Sequence, residues 1–328
     1  MAKTKVFLLV FLGMACVGGG NHVRGQSQQQ TRNEGVVHAD MKNVFYHFTD
    51  PIAVLIVRLN GAVVPTHREG IVNFDDKNSF SVELSYAEIS VSTTALTNAM
   101  NQYVFAAADA PLKNLVITPA GTSLKIKGKL HSKGNVPFES EGTIDATPEG
   151  LIRIRTRKIK AAHLPVKGLM DLLGVNIADL INTRKVAGVR SEGDDLLLDP
   201  QQIFPPPHIK GKVTGVEIKG DQIVQLYGDK PKESGPPPVQ GNYMAYRGGL
   251  LRFGKLTMTD SDMILIDMNP RDPFDFSLDH YNDQLVAGYT KNTPEHGLRV
   301  FMPDFYTLRK PRSKTPAKAQ RAQGSQSQ

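Results

Sequence analysis

The chain has 328 residues, a formal net charge of +7, one cysteine and no tryptophan. That single cysteine, Cys16, excludes an intramolecular disulfide and a thiolate metal cluster, and because it is expected to be either removed with a leader or lipidated it is excluded as a nucleophile. Three positive charges lie before Gln26 and six from Arg309 onward, with no acid in either segment, so Gln26 to Leu308 carries a net −2. The basic balance therefore belongs to the ends. Without a basic-aromatic stripe, it excludes nucleic acid as the partner.

The first residues indicate export. Lys3 and Lys5 precede an apolar run, Val6 to Val17, that is too short to span a bilayer as a helix. A Gly-rich polar stretch follows, so residues 1–25 read as an export signal and 26–35 as a polar linker. Two processing routes are open: cleavage after Val23-Arg24-Gly25, or lipidation of Cys16 within Leu12-Gly13-Met14-Ala15-Cys16, which resembles a bacterial lipobox. Either places the protein outside the cytoplasm, as a secreted or periplasmic protein or a lipoprotein on the extracytoplasmic membrane surface.

Strands are expected at Val44–Phe48 and Ile52–Leu59 around an Asp50-Pro51 turn, and Asn60-Gly61 is a type I′ hairpin signal. Phe80–Val91 follows as a strand, and Ser92 or Thr93 caps a helix. Its apolar face is Leu96, Ala99, Met100, Tyr103 and Val104. After Leu112–Thr118 comes a meander with strict apolar alternation, one dry face and one wet. Its wet face reads basic, acidic, basic: Lys125, Lys127 and Lys129, then Glu139, Glu141 and Asp145, then Arg153, Arg155 and Arg157. Opposite charges on neighbouring strands fix register at about 0.2–1 kcal/mol per pair. The broken alternation at Arg157-Lys158-Ile159-Lys160 predicts a bulge.

A second helix is expected from Pro165, with a broad apolar stripe that includes Leu169, Met170, Leu173 and Ile177. Short strands follow at Val186–Arg190, Asp194–Leu198, Ile209–Ile218 and Gln222–Tyr227. The Pro236-Pro237-Pro238 run suggests a boundary near Gly241. The domain reading is thus a main domain over 36–240, a smaller β-rich unit over 241–308 with a turn at Gly248-Gly249, and a basic disordered tail over 309–328. The fold class is α+β: a curved antiparallel sheet wrapped around one or two amphipathic helices.

Catalytic motifs are not found. There is no G-x-S-x-G, no H-E-x-x-H, no phosphate-binding glycine loop and no dinucleotide fingerprint, and the nine histidines show no metal-ligand spacing. The densest carboxylates, Asp260, Asp262, Asp267, Asp272, Asp275, Asp279 and Asp283, lack the ligand order of an EF-hand. Asp275, Asp279 and Asp283 would share a face if that segment were helical. They are read as turn and helix-start acids, with no metal and no cofactor assigned.

The order strand, amphipathic helix, strand, meander, second amphipathic helix and further strands resembles the tubular lipid-binding (TULIP) superfamily. It is most similar to the bacterial secreted or lipoprotein group of LmeA-like phospholipid-binding proteins. The residues that carry the resemblance lie between about 79 and 228. They are Tyr86-Ala87-Glu88-Ile89-Ser90-Val91, Leu124-Lys125-Ile126-Lys127-Gly128-Lys129, Leu164-Pro165-Val166-Lys167-Gly168-Leu169 and Ile209-Lys210-Gly211-Lys212-Val213. The resemblance implies non-catalytic binding or transfer of a lipid in the cell envelope, with a lipid or membrane surface as partner. It implies an apolar groove lined by Leu96, Met100, Tyr103, Leu124, Ile126, Phe138, Ile152, Ile154, Leu169, Met170, Leu173 and Ile177. Alternation alone describes a filled core equally well, which leaves open a structural or partner-binding envelope protein with no ligand.

Overall fold

A computed structural model describes residues 36–67, 70–131, 135–161, 164–165, 186–230 and 238–309. Strands β1 (Val37–Thr49) and β2 (Ile52–Pro65) form a hairpin at Asp50-Pro51, and after β3 (Val72–Asn73) strand β4 (Phe80–Ser92) returns along β2. Helix α1 (Thr93–Ala99) is capped by the Ser92 hydroxyl, which accepts from the Ala95 N–H at 3.0 Å, and it runs into a π-helical turn, Met100–Val104. The meander is β5 (Leu112–Ala120), β6 (Ser123–Leu130), β7 (Val136–Ala146) and β8 (Ile152–Ala161). Then come β9 (Leu164–Pro165), β10 (Val189–Glu192), β11 (Asp195–Leu198), α2 (Pro200–Ile203) and β12 (His208–Lys210). Strands β13 (Val213–Lys219), β14 (Gln222–Gly228), β15 (Tyr243–Phe253), β16 (Leu256–Asp267) and β17 (Phe274–Ser277) follow. The last elements are α3 (Tyr281–Ala287), β18 (Tyr289–Asn292), β19 (Leu298–Met302) and α4 (Phe305–Arg309).

These strands make two sheets. The larger runs β13-β14-β4-β2-β1-β15-β16-β19-β18, with β12, β17 and β3 added in parallel beside β4, β1 and β15. The smaller runs β10-β11-β8-β7-β6-β5, with β9 beside β8. Both sheets and α1 contribute to one apolar core, from Val44 and Ile56 of the first sheet to Leu124 and Ile152 of the second. The fold is sheet-dominated, with few and short helices. Among the described residues, no helix is long and apolar enough to cross a membrane.

Local chemistry accounts for several features. In β1 the inward residues are Val37, Ala39 and Met41; Asn43 takes a positive φ of 53°, and the phase resumes with Val44, Tyr46 and Phe48 inward. The expected bulge is present: Glu141 pairs with Lys158 and Gly142 with Thr156, so Arg157 is the extra residue. Arg157 and Lys158 both point outward and Ile159 returns to the core, so the bulge preserves the dry face.

Several expectations are corrected. Asn60-Gly61 is not a turn; both lie within β2, at a register shift against β4, and a Cβ on Gly61 would sit 2.2 Å from the Glu83 carbonyl oxygen. The glycine serves a close strand approach. Gly248-Gly249 likewise lies inside β15, with both residues at positive φ opposite Asp260, itself at 53°. The hairpin turn falls instead at Gly254-Lys255, between the Phe253–Leu256 pair. Ile209–Ile218 is two strands, β12 and β13. Pro165 belongs to β9, paired with Lys160, rather than to a first helical turn. The strands beyond Gly241 do not stand apart as a smaller unit: β15 pairs with β1 over His38–Lys42, and β17 pairs with β1 over Val44–His47. The helix expected over Val166–Ile181 lies outside the described residues.

Candidate functional site

The groove expected between meander and helices can be checked residue by residue. Leu96, Met100, Leu124, Ile126, Phe138, Ile152 and Ile154 all converge in the common core and are buried. Tyr103 does not join them; it is 37% exposed. The π-helical turn explains this. Phe105 donates its N–H to the Met100 carbonyl at 2.8 Å, so the register advances by five residues and Phe105 takes the buried place. Leu169, Met170, Leu173, Ile177 and Cys16 lie outside the described residues. The seven buried residues belong to the core cluster shared by both sheets.

A cavity lies on the inner face of the larger sheet. Its volume is about 30 Å³, enough for about two water molecules. It sits over β1, β2 and β4, where Met41, Tyr46, Val54, Ile56 and Ile89 face inward, and Phe74, Tyr246 and Pro207 close it. Aromatic rings make much of the wall: Phe74 stacks on Phe80 at 5.5 Å and meets Tyr246 edge-on at 5.4 Å. The lining side chains are apolar except for two phenol hydroxyls, those of Tyr46 and Tyr246. Both residues are buried. Burial pushes both phenols far above their ordinary titration range, so they stay neutral and keep their protons to donate. The sequence reading missed this site because its residues come from strands β1, β2 and β4 together with Phe74, Pro207 and Tyr246. The signal available was the inward alternation of β1 itself.

No family model, no curated protein and no solved structure matches this chain. The geometry therefore carries the functional argument alone.

A second polar cluster lies on the opposite face of β1. His47 Nε2 is 2.7 Å from Asp275 Oδ1, and Asp275 Oδ2 accepts the Tyr306 N–H at 2.8 Å. Ser277 is the register partner of His47 on β17. This places a serine, a histidine and a carboxylate side by side. Ser277 is fully buried, however, and its hydroxyl bonds to neither neighbour. His47 Nδ1, Thr49 Oγ1 and Ser277 Oγ are the buried side-chain atoms without a hydrogen-bond partner among the described residues. A nucleophile needs both a base within reach and a route for substrate, so this arrangement packs α4 onto the sheet and does not support catalysis.

The aspartates of the C-terminal region are engaged individually. Asp262 bonds Arg299 at 3.2 Å, Asp267 accepts from Asn242 at 2.8 Å and Asp279 holds Lys77 at 2.9 Å. Asp275 and Asp279 do not share a helical face with Asp283, because Phe274–Ser277 is strand β17 and α3 starts only at Tyr281. Among the described residues, no group of three ligands is placed to hold a metal ion.

Proposed function

We propose that the protein is a non-catalytic binder of an apolar, lipid-like ligand, acting in the cell envelope. The observation that supports this reading is the cavity on the inner face of the larger sheet, with apolar walls and two phenol hydroxyls in its lining. A ligand carbonyl or hydroxyl that accepts from one of these phenols would gain about 0.5–1.5 kcal/mol net. Each methylene brought in from water adds about 0.8 kcal/mol. At about 30 Å³ the cavity seats one slender apolar group, so a longer chain requires the aromatic wall to part. The wrapped sheet around amphipathic helices, with a groove between them, belongs to the same proposal.

The test is mass spectrometry of organic extracts from protein purified out of its native membrane fraction, together with titration of a fluorescent acyl-chain probe. Bound lipid is expected in the extract. Ile89→Phe, which fills the cavity, should abolish probe binding while thermal stability falls by only a few degrees. Clean extracts and no probe binding by the parent protein would overturn the reading. A second reading, a structural or partner-binding envelope protein, is favoured by the burial of Leu124 and Ile152 in the common core. It predicts clean extracts and capture of an envelope protein by cross-linking.

A further inference from the structure

The outer face of the meander is a built array of charge, and its balance is uneven. Glu139 holds both Lys125 at 2.8 Å and Lys127 at 3.5 Å. Asp145 holds Arg153 at 2.5 Å and Arg155 at 3.7 Å, and Asp195 lies 3.9 Å from Arg153. Glu141 holds Lys158 at 3.5 Å. The ladder therefore shares few carboxylates among many cations. Lys129, Arg157 and Lys160 remain exposed, with no acidic partner among the described residues. Eight cations of β6 and β8 face four carboxylates of β7 and β11, a net +4 over these four strands. Gln26 to Leu308 as a whole carries −2, so the rest of that stretch carries −6.

The bulge at Arg157 contributes directly. By turning two successive residues outward it adds a cation to the face without costing the core an apolar position. Val116, 50% exposed, lies across from Lys127 on β5 and gives the same face an apolar contact. A broad, shallow face with excess positive charge and an exposed apolar residue suits an extended anionic surface better than a small anion, which would need convergent donors in a concave site. The opposite charge of the remaining surface orients the molecule as it approaches such a surface.

We propose that the outer face of β6, β7 and β8 docks on anionic lipid bilayers through Lys129, Arg157 and Lys160. The docking face is separate from the cavity on the larger sheet and does not depend on it.

The experiment is flotation of the full chain, carrying Cys16→Ser to prevent lipid attachment, with vesicles of phosphatidylcholine alone or with 30% phosphatidylglycerol. Binding to the anionic vesicles should exceed binding to the neutral ones by at least tenfold in 0.1 M NaCl and be lost in 0.5 M NaCl. The triple variant K129E/R157E/K160E should lose at least tenfold in affinity with an unchanged melting temperature. Equal binding by the triple variant and the parent would assign the attraction to the basic tail beyond Arg309 and overturn the proposal. Equal binding to both vesicle types would overturn it as well, as would binding to soluble polyphosphate without binding to vesicles. Ile89→Phe, which fills the cavity, should leave vesicle binding unchanged, so the two readings fail separately.

Discussion

Ser277 and Asp275 sit two residues apart on β17 and make opposite contributions. The Ser277 hydroxyl is buried without a partner, whereas Asp275 ties β1 to α4 through His47 and the Tyr306 N–H. Ser277→Ala is therefore expected to leave stability unchanged or raise it by up to about 1 kcal/mol, because it removes an unsatisfied group. Asp275→Ala removes two charge-assisted bonds and should cost about 2–3 kcal/mol; chemical denaturation measures both. Asp304, which accepts the Asp275 N–H at 3.0 Å, is buried, and desolvation raises its carboxyl from 3.8 to about 6, with Asp267 and Asp272 adding to the effect. The folded state thus holds this proton more tightly than the unfolded chain does. Stability contributed here falls as pH rises from about 4 to about 6, and the full penalty persists above. Asp304→Asn keeps an oxygen for the N–H and removes the penalty, so the variant should melt higher than the parent at pH 7 and alike at pH 3.5.

Strands and their pairings show where sequence patterns are informative. Alternation placed the meander strands and the charge ladder, because a one-residue slip would put Lys125 or Arg153 into the core. It also located the Arg157 bulge, since apolar phase is lost and regained within four residues. The cap at Ser92 was legible for a similarly local reason. The glycine pairs were not. Asn60-Gly61 and Gly248-Gly249 carry the composition of a turn, but what they accommodate is a neighbouring backbone, and only long-range pairing reveals that. Gly61→Ala should consequently cost at least about 2 kcal/mol, because the new methyl meets the Glu83 carbonyl and not a movable side chain. A smaller loss in equilibrium unfolding would show that β2 and β4 separate there. The π-helical turn was equally hidden, since 3.6-residue periodicity carries past Met100 and assigns Tyr103 to the face that Phe105 occupies. The cavity escaped notice because Tyr246 is far from β1 in sequence.

For the molecule as a whole, β1 is the organising element. One edge pairs with β2 and the other is shared between β15 and β17, so the strands after Gly241 complete the sheet begun by the first. The full chain should unfold in a single cooperative transition by calorimetry. A chain ending at residue 240 should lack it and expose apolar surface to a hydrophobic dye. Two separate transitions, or a folded 36–240 fragment, would contradict this. The shared edge also sets an order of events during synthesis. Tyr243, whose hydroxyl bonds Asp40 at 2.5 Å, is 203 positions downstream of its partner. At roughly 5–20 residues per second, β1 waits about 10–40 s with an unpaired edge. The nascent chain thus presents an apolar ribbon long before the strands that seal it exist, and a holding factor or a delay in collapse must cover that interval.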